Sequence, residues 1–306
     1  MSFLTNRNIP QSDPPPDVLP TMYDLPSEDP EEPGLPDEFH DLQPQLLSRT
    51  LHLTQYTRDN YFTGTDLNVY YDVEHVLWHK RPDWFLVVDV PREYDGCRGK
   101  DLRLSYVVWQ EGRSPDVVVE FLSPGTEKED LGRFYDDSWR IPPEDEMPVE
   151  STEPQSSNKP PGKFEVYERR LKVRHYIVHS RYDQRLRYFR LDNERYREQP
   201  VNSDNPRIWL DDLKIGLGIW TGTFDGLTRQ WLRWCDRDGN WFFTDTEQAQ
   251  SQAMQAQSQV IQVQSQVIQA ARNLLATGMP FEQVVQILSL SEAQIEVLQS
   301  EERESD

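Results

Sequence analysis

Four acids set into two apolar runs are the side chains in this chain best placed to do chemistry. Residues 115–124 read PDVVVEFLSP, with Asp116 and Glu120 inside an otherwise apolar run. Residues 81–90 read RPDWFLVVDV and repeat the pattern with Asp83 and Asp89. Runs of this kind read as central strands covered on both faces. A carboxylate is costly in such a strand unless a cation or a proton compensates it. Side chains alternate along a strand, so Asp116, Val118, Glu120 and Leu122 share one face. On the other strand Asp83, Phe85, Val87 and Asp89 share one. If the two strands are neighbours, Asp83 and Glu120 converge, and two carboxylates at that range repel unless a cation sits between them. Mg²⁺ suits this task, being hard, taking oxygen ligands and keeping water positions open for a phosphate. Such an ion polarises a phosphoryl oxygen and lowers the pKa of an attacking water. A nearby lysine would hold that water or offset charge building on the phosphate. The plainer alternative for each acid is a residue that closes a strand, as Asp89 does before Val90-Pro91.

These acids need a sheet to position them, and the flanking sequence supplies one. A helix is expected from Asp41 to about Tyr56, capped by Asp41 and carrying Leu42, Leu46, Leu47 and Leu51 at helical spacing, with Pro44 in its first turn. Strands are expected at 67–73, 83–90, 104–109 and 116–122, and a helical start from Glu127 to Phe134. Residues 136–162 carry six prolines in a Ser/Asn/Glu background and read as a surface insertion. Helical spacing resumes at 163–171, and strands follow at 174–179, 185–191, 195–199, 207–210 and 215–224. Trp231–Trp234 and Trp241–Phe243 flank Asp236–Asn240, which reads as a hairpin.

Residues 1–40 are rich in Pro, Asp and Glu and read as disordered. The domain expected from the pattern is 41–246, with 247–306 as a helical tail. In that tail QSQVIQV at 257–263 is nearly repeated as QSQVIQA at 264–270. The seven-residue period sets Ala253, Val260, Val267 and Leu274 at one heptad position and Ala249, Ala256, Val263 and Ala270 at the other, a coiled-coil seam of small residues. It points to a homo-oligomer formed through 249–275, against the alternative of a single amphipathic helix packing on its own chain. Short helices are expected near 281–288 and 291–299.

The net charge of −21 argues against a polyanionic partner until it is located. Residues 1–47 carry −9, residues 136–153 carry −6 and residues 289–306 carry −5, which leaves −1 for everything else. The folded part is therefore close to neutral, and phosphate-bearing substrates are not excluded. Cys97 and Cys235 stand far apart with no metal-type spacing, which fits a reducing cytoplasm. No apolar run reaches membrane-spanning length and the N-terminus has no secretory pattern, so a soluble chain without a membrane partner is expected. A Gly-rich phosphate loop, a G-x-S-x-G elbow and a Cys-x-x-C pair are absent from the sequence. His52, His75 and His79 are a weaker candidate cluster beside Trp78 and Lys80, and Glu74 and Glu93 are weaker candidate ligands.

The segments 81–90, 104–132 (LSYVVWQEGRSPDVVVEFLSPGTEKEDLG), 163–180 (KFEVYERRLKVRHYIVHS) and 216–226 (GLGIWTGTFDG) resemble the Uma-type, restriction-endonuclease-like family of the PD-(D/E)XK nuclease superfamily. The resemblance covers about residues 45–245. It implies an α/β fold, a restriction-endonuclease-like mixed β-sheet core flanked by helices. It implies a metal-dependent endonuclease with Mg²⁺, or Mn²⁺, held by Asp83 and Glu120, and a nucleic-acid partner, DNA. By the same resemblance Asp130 matches an acid after the LSPxT turn, and Lys163 with Tyr167 matches a K-x-x-x-Y helix pair. Leu122 occupies the place of the superfamily's lysine two residues after the acid, so Lys163 is the candidate catalytic cation and Lys128 the fallback. His179 stands where the family often has an acid. Tyr167 is expected to be a core-edge aromatic. Residues 271–298 resemble a short helical tail that follows some nuclease-fold domains. The competing expectation is a catalytically silent protein of the same fold that acts in binding or assembly through its C-terminal helix. Mimicry of DNA by the acidic segments is a poorer third, because prolines space their charges.

Overall fold

The computed structural model describes residues 37–96, 99–123, 125–136 and 160–305. Most of the expected disordered segment at 1–40 and of the expected insertion at 136–162 lies outside these residues. The chain divides into two compact units, Met1–Phe242 and Phe243–Asp306.

In the first unit the elements run α1 (Glu38–Thr50), β1 (Tyr61–Gly64), β2 (Val69–Tyr70), β3 (His79–Lys80), β4 (Trp84–Val88), β5 (Tyr94–Gly96), β6 (Gly99–Asp101), β7 (Tyr106–Val107), α2 (Val108–Glu111) and β8 (Val117–Phe121). They continue with α3 (Glu127–Leu131), α4 (Lys163–Glu165) running into a π turn at Val166–Arg170, β9 (His175–His179), β10 (Leu186–Asp192), β11 (Arg195–Gln199), β12 (Arg207–Leu210), β13 (Ile215–Phe224) and β14 (Leu227–Cys235). The main sheet has six strands in the order β1-β4-β8-β9-β10-β11. It is mixed: β4 and β8 pair antiparallel, β8 and β9 parallel.

The two acid-bearing runs are the sheet's neighbouring central strands, and every residue of β4 and β8 is buried. Alternation sorts their side chains into two cores. Trp84, Leu86, Val117, Val119, Phe121 and Ile177 pack with Phe39, Leu46 and Leu47 of α1 and with Trp231 and Trp234 of β14. Phe85, Val87, Val118, Leu122, Tyr176 and Val178 pack with Leu131, Phe164, Val166 and Tyr167 on the other side. The sheet is thus a layer between α1 with the β12–β14 sheet on one face and the α3–α4 segments on the other.

Three local expectations change. Helix α1 starts at Glu38 and ends at Thr50, with Asp37 as its cap and Pro44 inside it. Starting earlier brings Phe39 onto Trp231, stacked at 5.8 Å, while Asp41 stays exposed on the first turn. The strand expected at 104–109 is only Tyr106–Val107, because the chain turns into α2 and stops at Gly112, whose φ of 70° favours glycine. Around Asp236–Asn240 one bridge forms, Cys235 with Trp241, while Trp231–Trp234 pair with Leu217–Trp220 in the long β13–β14 hairpin. That hairpin turns at Asp225-Gly226, both at positive φ, a dipeptide whose turn geometry matches strand twist.

The second unit is helical: α5 (Asp245–Ala276), α6 (Phe281–Leu288) and α7 (Glu292–Ser305). Thr244 and Glu247 form a reciprocal capping box at the start of α5. Ala271, Val284, Leu290 and Leu298 make its small core. Met254, Val260, Ile261 and Val263 are exposed on α5. Among the described residues no helix is long and apolar enough to cross a membrane.

Candidate active site

Register brings the first pair of acids together. Trp84 stands opposite Val119, so one step further along the same antiparallel pair Asp83 stands opposite Glu120, on the face that Tyr167 covers. Asp83 Oδ2 accepts the Phe121 N–H at 2.6 Å, and its side chain is 19% exposed. Glu120 is fully buried. Its Oε1 accepts the Tyr167 hydroxyl at 2.6 Å and its Oε2 accepts Lys163 Nζ at 3.0 Å. Lys163 Nζ also lies 3.4 Å from Asp130 Oδ1, and the lysine is 22% exposed, so this cluster opens to solvent on its lysine side.

Local geometry explains why these groups meet. Lys163 is the first residue of α4 and Tyr167 follows four later, one helical turn on. The Leu171 N–H donates to Val166 O at 2.9 Å, an i to i−5 bond that widens this turn into the π form, which recurs at functional sites. Gly132, at φ 50°, lets the end of α3 lie against Phe164: a Cβ there would sit 2.7 Å from the ring. That contact seats Asp130 beside Lys163, and the Tyr176 hydroxyl donates to the Asp130 carbonyl at 2.7 Å. Glu129 finishes the placement by accepting the Lys163 backbone N–H at 3.3 Å while pairing with Lys80 at 3.2 Å.

The cluster carries more negative than positive charge. Burial pushes Glu120 up to about 7, with Asp83 adding to the rise and Lys163 and Tyr167 opposing it. Burial likewise pushes Asp130 up to about 6, against the pull of Lys163. Asp83 is raised for the same reason. Burial works against the charge of Lys163, but Asp130, Glu120 and Asp83 outweigh it and hold the ammonium well above the ordinary lysine value.

Sequence reasoning missed His40. It is buried at the start of α1, with Nδ1 2.8 Å from Asp37 Oδ1 and Nε2 3.1 Å from Phe121 O, 3.3 Å from Ser123 Oγ and 4.0 Å from Asp83 Oδ2. Burial lowers its pKa, but the hydrogen bond to Asp37 and the charges of Asp83 and Asp37 overcome this and the net shift is upward. The spacing Asp37-x-x-His40 at a helix start signals a cap and nothing about the site.

The other candidates separate from this cluster. Asp116, although on the same face as Glu120, sits at the far end of β8, where it accepts the Val88 N–H at 2.8 Å and pairs with Arg174 at 2.5 Å. Asp89 leaves the strand at φ 59° and pairs with Arg113 at 3.2 Å. Lys128 lies over the Tyr135 ring at 5.5 Å. His179 is buried beside Phe39 at 6.1 Å, and burial pushes its pKa down to about 4. His75 stacks on Trp78, His79 lies against Tyr70 and His52 against Phe242. Tyr167 is core, and its hydroxyl also serves Glu120.

The donor set fits a hard divalent ion. Asp83 and Glu120 offer carboxylate oxygens with lone pairs left after the three bonds above. Asp130 Oδ1 is buried, makes no hydrogen bond and is met by the Lys163 ammonium at 3.4 Å, so one lysine serves both Glu120 and Asp130. Among the described residues no group of three or more acid, His or Cys side chains is arranged to hold an ion alone. Mg²⁺ needs no such cage, since it keeps several waters and uses one or two carboxylates plus substrate phosphate.

The chain belongs to the Uma2 family: that family's model, described as "Putative restriction endonuclease", matches residues 19–221. No curated protein matches the chain.

Proposed function

We propose that this chain is a metal-dependent endonuclease that hydrolyses phosphodiester bonds of nucleic acid, DNA in the first instance. Its site residues in this reading are Asp83 and Glu120, holding Mg²⁺ or Mn²⁺, with Lys163 assisting. Membership of a restriction-endonuclease-like family supports the class of activity. The observation that carries the reading is the meeting of one partly exposed lysine with buried acids at the end of a central strand, Lys163 Nζ at 3.0 Å from Glu120 and 3.4 Å from Asp130. When bound, the ion would supply positive charge to a phosphoryl oxygen and acidify a water. The protein's own part is positioning. Asp83 stays fixed by the Phe121 N–H, and Tyr167 fixes the rotamer of Glu120. Lys163 presents a partly exposed ammonium, able to donate to a water or to a phosphoryl oxygen as charge builds there. The two well-separated cysteines fit a cytoplasmic setting.

The test is cleavage of plasmid, single-stranded DNA and RNA with Mg²⁺ or Mn²⁺, comparing the parent with Asp83→Ala and Glu120→Ala. The parent is expected to cut and both variants to lose cutting; equal activity in all three overturns the proposal. The exposed Met254, Val260, Ile261 and Val263 favour a second element, self-association through residues 249–275, whether or not the site is active. Light scattering on the full chain and on a chain ending at residue 246 checks it. An unchanged subunit number counts against the helix.

A further inference from the structure

We propose that His40 is a positioning residue for the acid pair, one that holds Asp83 and the end of β8 in place from behind; this rests on the nuclease reading above. The imidazole is fixed at both ends. Asp37 Oδ1 takes the ring Nδ1 at 2.8 Å and the backbone N–H of His40 at 3.0 Å, while Asp37 Oδ2 takes Arg181 at 2.7 Å. The far nitrogen, Nε2, faces Phe121 O at 3.1 Å and Ser123 Oγ at 3.3 Å, both in the stretch that ends β8. With Nδ1 against a carboxylate and Nε2 against a carbonyl and a hydroxyl, the ring is tied at both nitrogens. The same Nε2 lies 4.0 Å from Asp83 Oδ2. The same peptide region serves both groups: Phe121 O meets His40, and the Phe121 N–H donates to Asp83. Residues that orient ligands in this way typically change metal affinity or activity by about 10–100-fold when removed.

A helix cap alone would also place Asp37 and His40 together, and two variants separate the roles. His40→Ala keeps the Asp37 cap. Asp37→Asn keeps a good cap but removes the carboxylate from the ring. The reporter is the Phe121 amide proton in ¹⁵N-phenylalanine-labelled full chain, with Glu165→Ala, an exposed helix residue, as control. The expected result is an upfield shift and faster exchange of that amide in both variants. Mn²⁺ binding by calorimetry should weaken at least tenfold in His40→Ala. In cleavage, kcat should fall by a similar factor with KM for oligonucleotide unchanged. A Phe121 amide and Mn²⁺ affinity that match the parent, with only the melting temperature lowered, would overturn the proposal. A parent that cuts nothing sinks the nuclease reading alone, because the Phe121 amide still decides for or against His40.

Discussion

Glu120→Gln should make the metal-free protein more stable at pH 8 and leave it unchanged at pH 5. Glu120 is fully buried, and its carboxyl moves from an ordinary 4.5 to about 7 in the folded chain. The folded state therefore binds this proton more tightly than the unfolded state does. Stability from this group is fully present below pH 4.5 and is lost as pH rises through 7. The gap corresponds to about 3 kcal/mol, at roughly 1.4 kcal/mol per tenfold. Glutamine has the same shape and no charge to desolvate, so it is spared that loss. One amide group can still accept from Lys163, and Asp130 remains as the ammonium's counter-charge. The assay is urea unfolding in chelator at pH 5, 6.5 and 8, followed by tryptophan fluorescence. All nine tryptophans precede residue 242, so the signal reports the first unit. The variant's advantage should grow from near zero at pH 5 to about 2–3 kcal/mol at pH 8. Mg²⁺ should restore stability to the parent and not to the variant. A difference that stays flat with pH would refute the reasoning that this carboxylate is held in the fold against its own ionisation.

Lys163→Met should cost about 3 kcal/mol at pH 8, because two buried acids lose their cation, and less at pH 5, where they hold protons; denaturant midpoints at the two pH values check this. Tyr167→Phe removes a hydrogen bond to a buried carboxylate and should cost about 2 kcal/mol by the same unfolding assay, with the acidic limb of any cleavage profile moving to higher pH. Gly132→Ala forces a methyl to 2.7 Å from the Phe164 ring and should destabilise by about 1–3 kcal/mol, lowering cleavage as well because Lys163 precedes that ring. Asp89→Asn keeps a residue that tolerates positive φ and loses only an exposed ion pair, so stability should change by less than about 0.5 kcal/mol and cleavage should hold.

The central strands were legible because their composition is extreme. Runs as apolar as 84–88 and 117–121 have no soluble alternative to burial on both faces, and alternation then sets which acids share a side. Which of the four acids meet depended on register, and register is decided by partners far away in sequence. Asp116 and Glu120 share a face, yet Asp116 stands just before β8 and Glu120 near its other end. Element ends were less legible. The cap of α1 moved from Asp41 to Asp37 because Phe39 finds Trp231, nearly two hundred positions later. The hairpin at Asp225-Gly226 carried its own signal in the Asp-Gly pair, outweighed by the tryptophans near residue 236. His40 left no trace in the pattern, since its meaning comes from the end of β8, eighty residues on.

The acids of the cluster come from chain before residue 131, and Lys163 and Tyr167 from chain after 160, yet both sides are stitched by contacts outside the intervening segment. Phe134 meets Phe164 at 5.8 Å, Arg133 pairs with Glu168 at 2.6 Å, and Gly132 admits the Phe164 ring. A cut between residues 137 and 159 would leave two polypeptides with complementary halves of the candidate site and a ready docking seam. Expressed separately, they would form a split pair in which Lys163 meets Glu120 only when both fragments are present together.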